Sequence, residues 1–90
     1  MDIVNRNFKF LRAKEGLTQR EFAERLGLKQ ATLGAYEEGR ATPPLSCLTD
    51  VSRIFKVSID NLINGDLSTI PEKSWRVSGK PRKEDRKSVV

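Results

Sequence analysis

Apolar residues recur at spacings of three and four along the first two-thirds of the chain, and no stretch alternates in the manner of a strand. Val4, Phe8 and Leu11 form one stripe and predict a helix from about Ile3 to Lys14, with Asp2 able to cap it and Gly16 placed to end it. A second helix opens at Thr18. Glu21 follows three residues later as the partner of a capping box, and Leu17 with Phe22 forms the hydrophobic staple around it. This helix ends at Leu26–Gly27. A third, from about Gln30 to Glu37, turns Leu33 and Tyr36 inward. Its cap position holds Lys29, which cannot cap, and Gly34 costs it roughly 1 kcal/mol relative to Ala, so it depends on packing. After Pro43-Pro44 a fourth helix carries Leu45, Leu48, Val51, Ile54 and Phe55 inward. The fifth is capped by Ser58, stapled by Val57 with Leu62, faces the core with Leu62 and Ile63, and stops near Gly65. The class is all-α, a five-helix domain over residues 1–66.

From residue 67 to 90 the periodicity fades into prolines, a glycine and mixed charge, which predicts a flexible, basic tail. Trp75 does not fit that description. It leaves two readings open, docking on the body or a second subunit, and exposure in a disordered segment.

Residues 19–38, QREFAERLGLKQATLGAYEE, carry the most specific pattern. Two helices that cross steeply over a short turn need a small residue where they touch, and Ala23 supplies it. The turn needs a residue that takes positive φ cheaply, and Gly27 does so. With Leu33 and Tyr36 pointing into the protein, Gln30, Ala31, Gly34 and Ala35 are left on the opposite face. These positions spell a helix-turn-helix, whose second helix typically meets the major groove of DNA.

Composition narrows the chemistry. The chain has no His and a single cysteine, Cys47, so it lacks the commonest acid–base group and cannot form an intrachain disulfide or a Cys-rich zinc site. Neither a metal nor another cofactor is expected, and an enzyme is the least fitting class. Cys47 lies in an apolar helical pattern and reads as a buried thiol. No apolar run is long enough for a signal peptide or a membrane span, which points to the cytoplasm. The net charge of +5 suits a polyanionic partner but does not by itself identify one.

At this point the chain resembles the lambda-repressor-like, or XRE-type, helix-turn-helix family over about residues 4–66. Leu11-Arg12, the GLTQ of 16–19, Ala23 with Gly27, the E-x-G of 37–39 and the VSIDNLINGD of 57–66 carry the resemblance. It implies a five-helix bundle that binds double-stranded DNA as a homodimer, in some cases only on DNA, often as a repressor. It further implies base contacts from Lys29, Gln30, Ala31, Gly34 and Ala35, and phosphate contacts from Thr18, Gln19, Thr32, Arg40 and Thr42. Arg12 and Glu37 are expected to form a partly buried ion pair, and Phe10, Ile59 and Asn61 to supply the dimer interface. Lys29 departs from the Ser or Thr common in the family. Ala31, Gly34 and Ala35 stand where longer polar readers are frequent, so the groove face is bare and readout of DNA shape enters as a possibility.

Two further readings compete. The chain could be the antitoxin of a toxin–antitoxin pair, binding its own promoter and masking a protein partner with its Trp-containing tail. It could also be a protein-interaction module that uses the same helices without DNA.

Overall fold

The computed structural model describes residues 3–77. Phe8, Leu11, Phe22, Leu33, Val51, Val57 and Leu62 are fully enclosed, and their spacings generate the first five helices around them. These are α1 (Ile3–Lys14), α2 (Gln19–Arg25), α3 (Gln30–Glu38), α4 (Leu45–Phe55) and α5 (Ile59–Asn64), followed by a short α6 (Glu72–Trp75). Phe22 stacks on Phe55 with ring centroids 4.5 Å apart, and Phe8 meets both Phe22 and Tyr36 edge-on. One aromatic cluster thereby joins four helices. No strand is present among the described residues. Asp2, the expected cap of α1, lies outside them.

The helix starts follow their local chemistry. At α2 the Thr18 hydroxyl accepts the Glu21 N–H at 3.1 Å, while the Glu21 carboxylate accepts the Thr18 N–H at 2.9 Å. That hydrogen bonding holds the Glu21 carboxyl below its usual pKa. Ser58 accepts the Asn61 N–H at the start of α5. Lys29 makes no side-chain cap to α3, in keeping with its chemistry.

Distant residues add to the closure of three helix ends. Helix C-termini leave carbonyls without intrahelical donors, and two buried asparagines of α1 supply two of the sites. The Asn5 amide donates to the Tyr36 carbonyl of α3. Asn7, only 1% exposed, donates to the carbonyls of Leu62 (2.8 Å) and Gly65 (2.7 Å), and its Oδ1 accepts the Leu67 N–H at 3.0 Å. At the end of α4, the Arg76 guanidinium donates to the Phe55 carbonyl at 2.8 Å.

Three expectations change. Leu45 is not inward but 67% exposed, because α4 buries Cys47, Val51 and Phe55. Two residues are about 200° around a helix, so a stripe through Cys47 turns Leu45 outward. Burial also pushes the Cys47 thiol up to about 11, so it stays protonated at neutral pH. Ile63 is 37% exposed, since Leu62 takes the inward position beside it. Gly65 ends α5 as expected, with an extended backbone (φ −104°). A Cβ there would come within 2.6 Å of Ile70, so the glycine permits a close approach of the following segment.

The third change is the largest. The packed body runs past Asp66, where the sequence pattern closes the domain. Leu67 is enclosed and Trp75 is 1% exposed. Trp75 meets Phe10 edge-on with centroids 6.4 Å apart, and the Arg76 guanidinium covers its ring at 4.7 Å. The Ser58 N–H donates to the Trp75 carbonyl and the Val77 N–H to the Lys56 carbonyl, both at 2.8 Å, forming an isolated antiparallel bridge between Val57 and Arg76. Arg76 also pairs with Glu15 and Glu72, and Lys14 with Glu72. Of the expected tail, residues 78–90 lie outside the described residues.

Candidate nucleic-acid interface

Ala23 of α2 is 1% exposed, and α2 packs against α3. Gly27 turns the chain with φ +70°, and the Leu28 N–H donates to the Ala23 carbonyl at 2.9 Å. A side chain at 27 would strain this backbone, which is why the motif needs glycine there. The turn projects α3 from the body with Leu33 and Tyr36 buried beneath it. Lys29, Gln30 and Ala31 are exposed on its outer face, with Thr32 and Ala35 half-buried beside them.

Gly34 does not share that exposure. It is buried, and a Cβ built on it would lie 3.5–3.7 Å from the amide of Gln19. The Gln19 side chain therefore lies over the middle of the recognition helix, and Gly34 serves packing rather than presenting its own surface. That separation is ordinary van der Waals contact, so Gly34→Ala fits. We expect it to raise stability by about 0.5–1 kcal/mol through helix propensity. Thermal unfolding checks this, and a drop in stability would show that Gln19 cannot yield the space.

A chain of side-chain hydrogen bonds runs from α1 to the outer face of α3. Arg12 grips Glu37 through two bonds, Nε to Oε2 at 2.8 Å and a terminal nitrogen to Oε1 at 3.2 Å. The carboxylate side chain is 3% exposed and the guanidinium 21%. Arg12 also reaches the Leu17 carbonyl at 3.3 Å, immediately before α2. Gln19 Nε2 donates to Glu37 Oε1 at 3.2 Å, and Gln30 Nε2 donates to Gln19 Oε1 at 3.3 Å. A carboxylate can only accept, so Glu37 fixes which end of the Gln19 amide faces inward. Gln19 then offers its oxygen to Gln30. Gln30 retains its Oε1 and one N–H, the edge that matches adenine.

Gln19, Gln30, Ala31, Gly34, Glu38 and Arg40 line an open depression of about 430 Å³ on this face. Arg40, Ala41 and Thr42 follow in an exposed segment, and Thr18 is exposed at the start of α2. Of the expected DNA-contacting residues, Gln19, Gln30, Ala31, Gly34 and Arg40 thus line one depression, with Gly34 itself buried. Glu38 was missed. It follows the buried Glu37 and carries no motif signal, yet it sits in the depression and pairs with Arg40 at 2.7 Å.

The candidate dimer residues fare differently. Phe10 is half-buried and packs against Trp75, and the Asn61 amide donates to the Ser74 carbonyl at 3.3 Å. Both were assigned to a free surface because α6 was not foreseen. Ile59 remains half-buried. Among the described residues no group of His, Cys, Asp and Glu could hold a metal ion, and no helix is long and apolar enough to cross a membrane.

Residues 8–62 match the helix-turn-helix family. An uncharacterized HTH-type transcriptional regulator of Archaeoglobus fulgidus is 32% identical over 65 residues, covering 72% of this chain and 92% of that protein. The HTH-type transcriptional activator BcrR of Enterococcus faecalis is 33% identical over 69 residues, 76% of this chain but 34% of its own length. The uncharacterized HTH-type transcriptional regulator YqaE of Bacillus subtilis is 36% identical over 64 residues, 71% of this chain and 55% of its own. The chain thus spans about a third of BcrR and about half of YqaE. Among solved structures, the P22 c2 repressor in complex with a synthetic operator superimposes with a TM-score of 0.66 at 20% identity, covering 73% of this chain and all of that one. The SinR–SinI complex gives 0.65 at 23% identity, over 96% of this chain and 90% of that one. These likenesses establish the lambda-repressor-like arrangement of helices. By its motif and the extent of the match, this chain belongs to the helix-turn-helix family.

Proposed function

We propose that the protein is a cytoplasmic, sequence-reading transcriptional regulator that places α3 in the major groove of double-stranded DNA and acts as a repressor. The observation that carries this is the outer face of α3, where Gln30 is braced by Gln19 while its pairing edge stays open. Ala31 and Ala35 offer methyl groups suited to the thymine C5-methyl, so the half-site is A·T-containing. Lys29 lies at the rim of the same face, and Thr18, Gln19, Thr32, Arg40 and Thr42 flank it as phosphate partners. The transcriptional regulators named among the relatives support the regulatory part of this reading, and the operator complex of the P22 repressor supports repression, although BcrR is named an activator.

Replacing Gln30 by Ala tests it. A bidentate amide–adenine pair is worth ~1–3 kcal/mol of discrimination, so affinity should fall about 5- to 150-fold on the preferred half-site and little on duplexes lacking that adenine. Titration of both duplexes with wild type and variant checks this. An equal loss on every sequence would reduce Gln30 to a backbone contact.

Homodimerisation on two half-sites belongs to the same proposal. With Phe10 and Asn61 engaged by the 72–77 segment, Ile59 and the exposed Ile63 are the apolar residues that α5 can offer a second copy. The antitoxin reading has the Trp-containing tail mask a toxin; Trp75 itself lies in the core, which takes that side chain out of such a contact.

A further inference from the structure

The depression beside Gln30 holds an acid where a polyanion is expected to lie. Glu38 is the last residue of α3, and Gly39 ends the helix with φ +78°. This left-handed turn brings the chain back on itself, and the N–H groups of Arg40 and Ala41 both donate to the Ala35 carbonyl, at 2.9 and 3.3 Å. The backbone on both sides of the glycine is therefore fixed. Glu38 and Arg40 then meet through an Nε–Oε1 bond of 2.7 Å, with side chains 60% and 63% exposed. The other residues lining the depression, Gln19, Gln30, Ala31 and Gly34, carry no charge. In the free protein the charges lining the depression balance.

We propose that Glu38 is an intramolecular competitor of the DNA backbone for Arg40, limiting the affinity of this face for any duplex. The proposal rests on the reading of α3 and residues 40–42 as the DNA-facing surface. Binding to duplex DNA irrespective of sequence is driven by phosphate neutralisation and counterion release. A guanidinium already held by a carboxylate must give up that partner, or bring its negative charge along, before it can neutralise a phosphate. An exposed pair of this kind is weak, so the competition is graded rather than a lock. It subtracts affinity from all sequences alike and leaves base readout to Gln30. Genomic DNA offers a vast excess of non-specific sites, and such a restraint keeps the protein from being held there.

The test is a salt titration of DNA binding by the full chain, on a random duplex and on a duplex enriched by selection. It compares wild type, Glu38→Gln, Arg40→Gln and the double variant. Glu38→Gln keeps the side chain's shape, and thermal unfolding should show it folded as wild type. It should bind both duplexes about 2- to 5-fold more tightly at 0.1 M salt, the most an exposed pair withholds, with a salt slope steeper by up to about 0.9, the increment of one phosphate contact. In the Arg40→Gln background the same change should bring no gain. Unchanged affinity of Glu38→Gln, or a gain that persists without Arg40, would overturn the proposal. So would a loss confined to one sequence, which would make Glu38 a base reader. Absence of salt-dependent binding by wild type would instead overturn the DNA reading itself, and the proposal with it.

Discussion

Replacing Trp75 by Ala should destabilise the protein by about 3–5 kcal/mol, the range for removing a large aromatic from a close-packed core. The ring is 1% exposed, packs edge-on against Phe10 and lies beneath the Arg76 guanidinium, so its loss leaves a cavity that neither neighbour fills. Arg76 would also lose the surface that orients it toward the Phe55 carbonyl at the end of α4. A chain cut after Asp66 should lose at least as much stability, because Leu67, Trp75 and two backbone hydrogen bonds to α5 and its approach go together. Urea unfolding of the two variants checks this. Near-wild-type stability of Trp75→Ala would show that the 72–77 segment is not part of the folded unit.

Glu37→Ala is the second large effect. The carboxylate is enclosed, and its removal leaves the Arg12 guanidinium facing a gap and Gln19 without its acceptor. Breaking a buried pair from one side costs roughly 3–5 kcal/mol, and the 21% exposure of Arg12 places this case at the lower end. Arg12→Ala should cost less than the full range only if water reaches Glu37. The double variant should be less destabilised than the sum of the two, since neither charge is then left alone. Denaturation midpoints for the cycle measure this. Independent, additive effects of under about 0.5 kcal/mol each would mark the pair as ordinary surface charge. We also expect Glu37→Ala to weaken DNA binding through Gln19, which loses the partner that sets its amide orientation.

Local signals in the sequence located the elements well. The Thr18–Glu21 capping box, the Val57–Leu62 staple and the Ala23–Gly27 pair depend on neighbours within a few positions, so their chemistry is written in short segments. The limits of α1 to α5 follow from such signals. What escaped was set by distant neighbours. Asn5 and Asn7 look like ordinary polar positions on an amphipathic helix. Only the arrival of the ends of α3 and α5 makes them buried donors. Leu45 and Cys47 are both apolar, and the choice between them depends on which face of α4 meets the aromatic cluster. The 72–77 segment lacks periodicity because a single residue, Trp75, provides its anchor.

The candidate site shows the same division. Gln30 and Ala31 were readable as outward positions from helical spacing alone. Gly34 was not, because its cover is the Gln19 side chain from another helix. Glu38 escaped because no pattern distinguishes a solvated helix-end acid from one that faces a ligand. Lys56 holds a left-handed backbone (φ +58°) at the end of α4, with no glycine to announce it. There the Val77 N–H donates to its carbonyl, so a tertiary contact supports a conformation that local propensity disfavours.

Selection of bound duplexes from a random pool by the full chain tests whether the outer face of α3 reads base sequence in the major groove. Enrichment of an A·T-containing half-site is expected, repeated as a palindrome with centres about 10–10.5 base pairs apart. A pool that stays random after repeated rounds, with wild type folded and binding conditions at low salt, would contradict it.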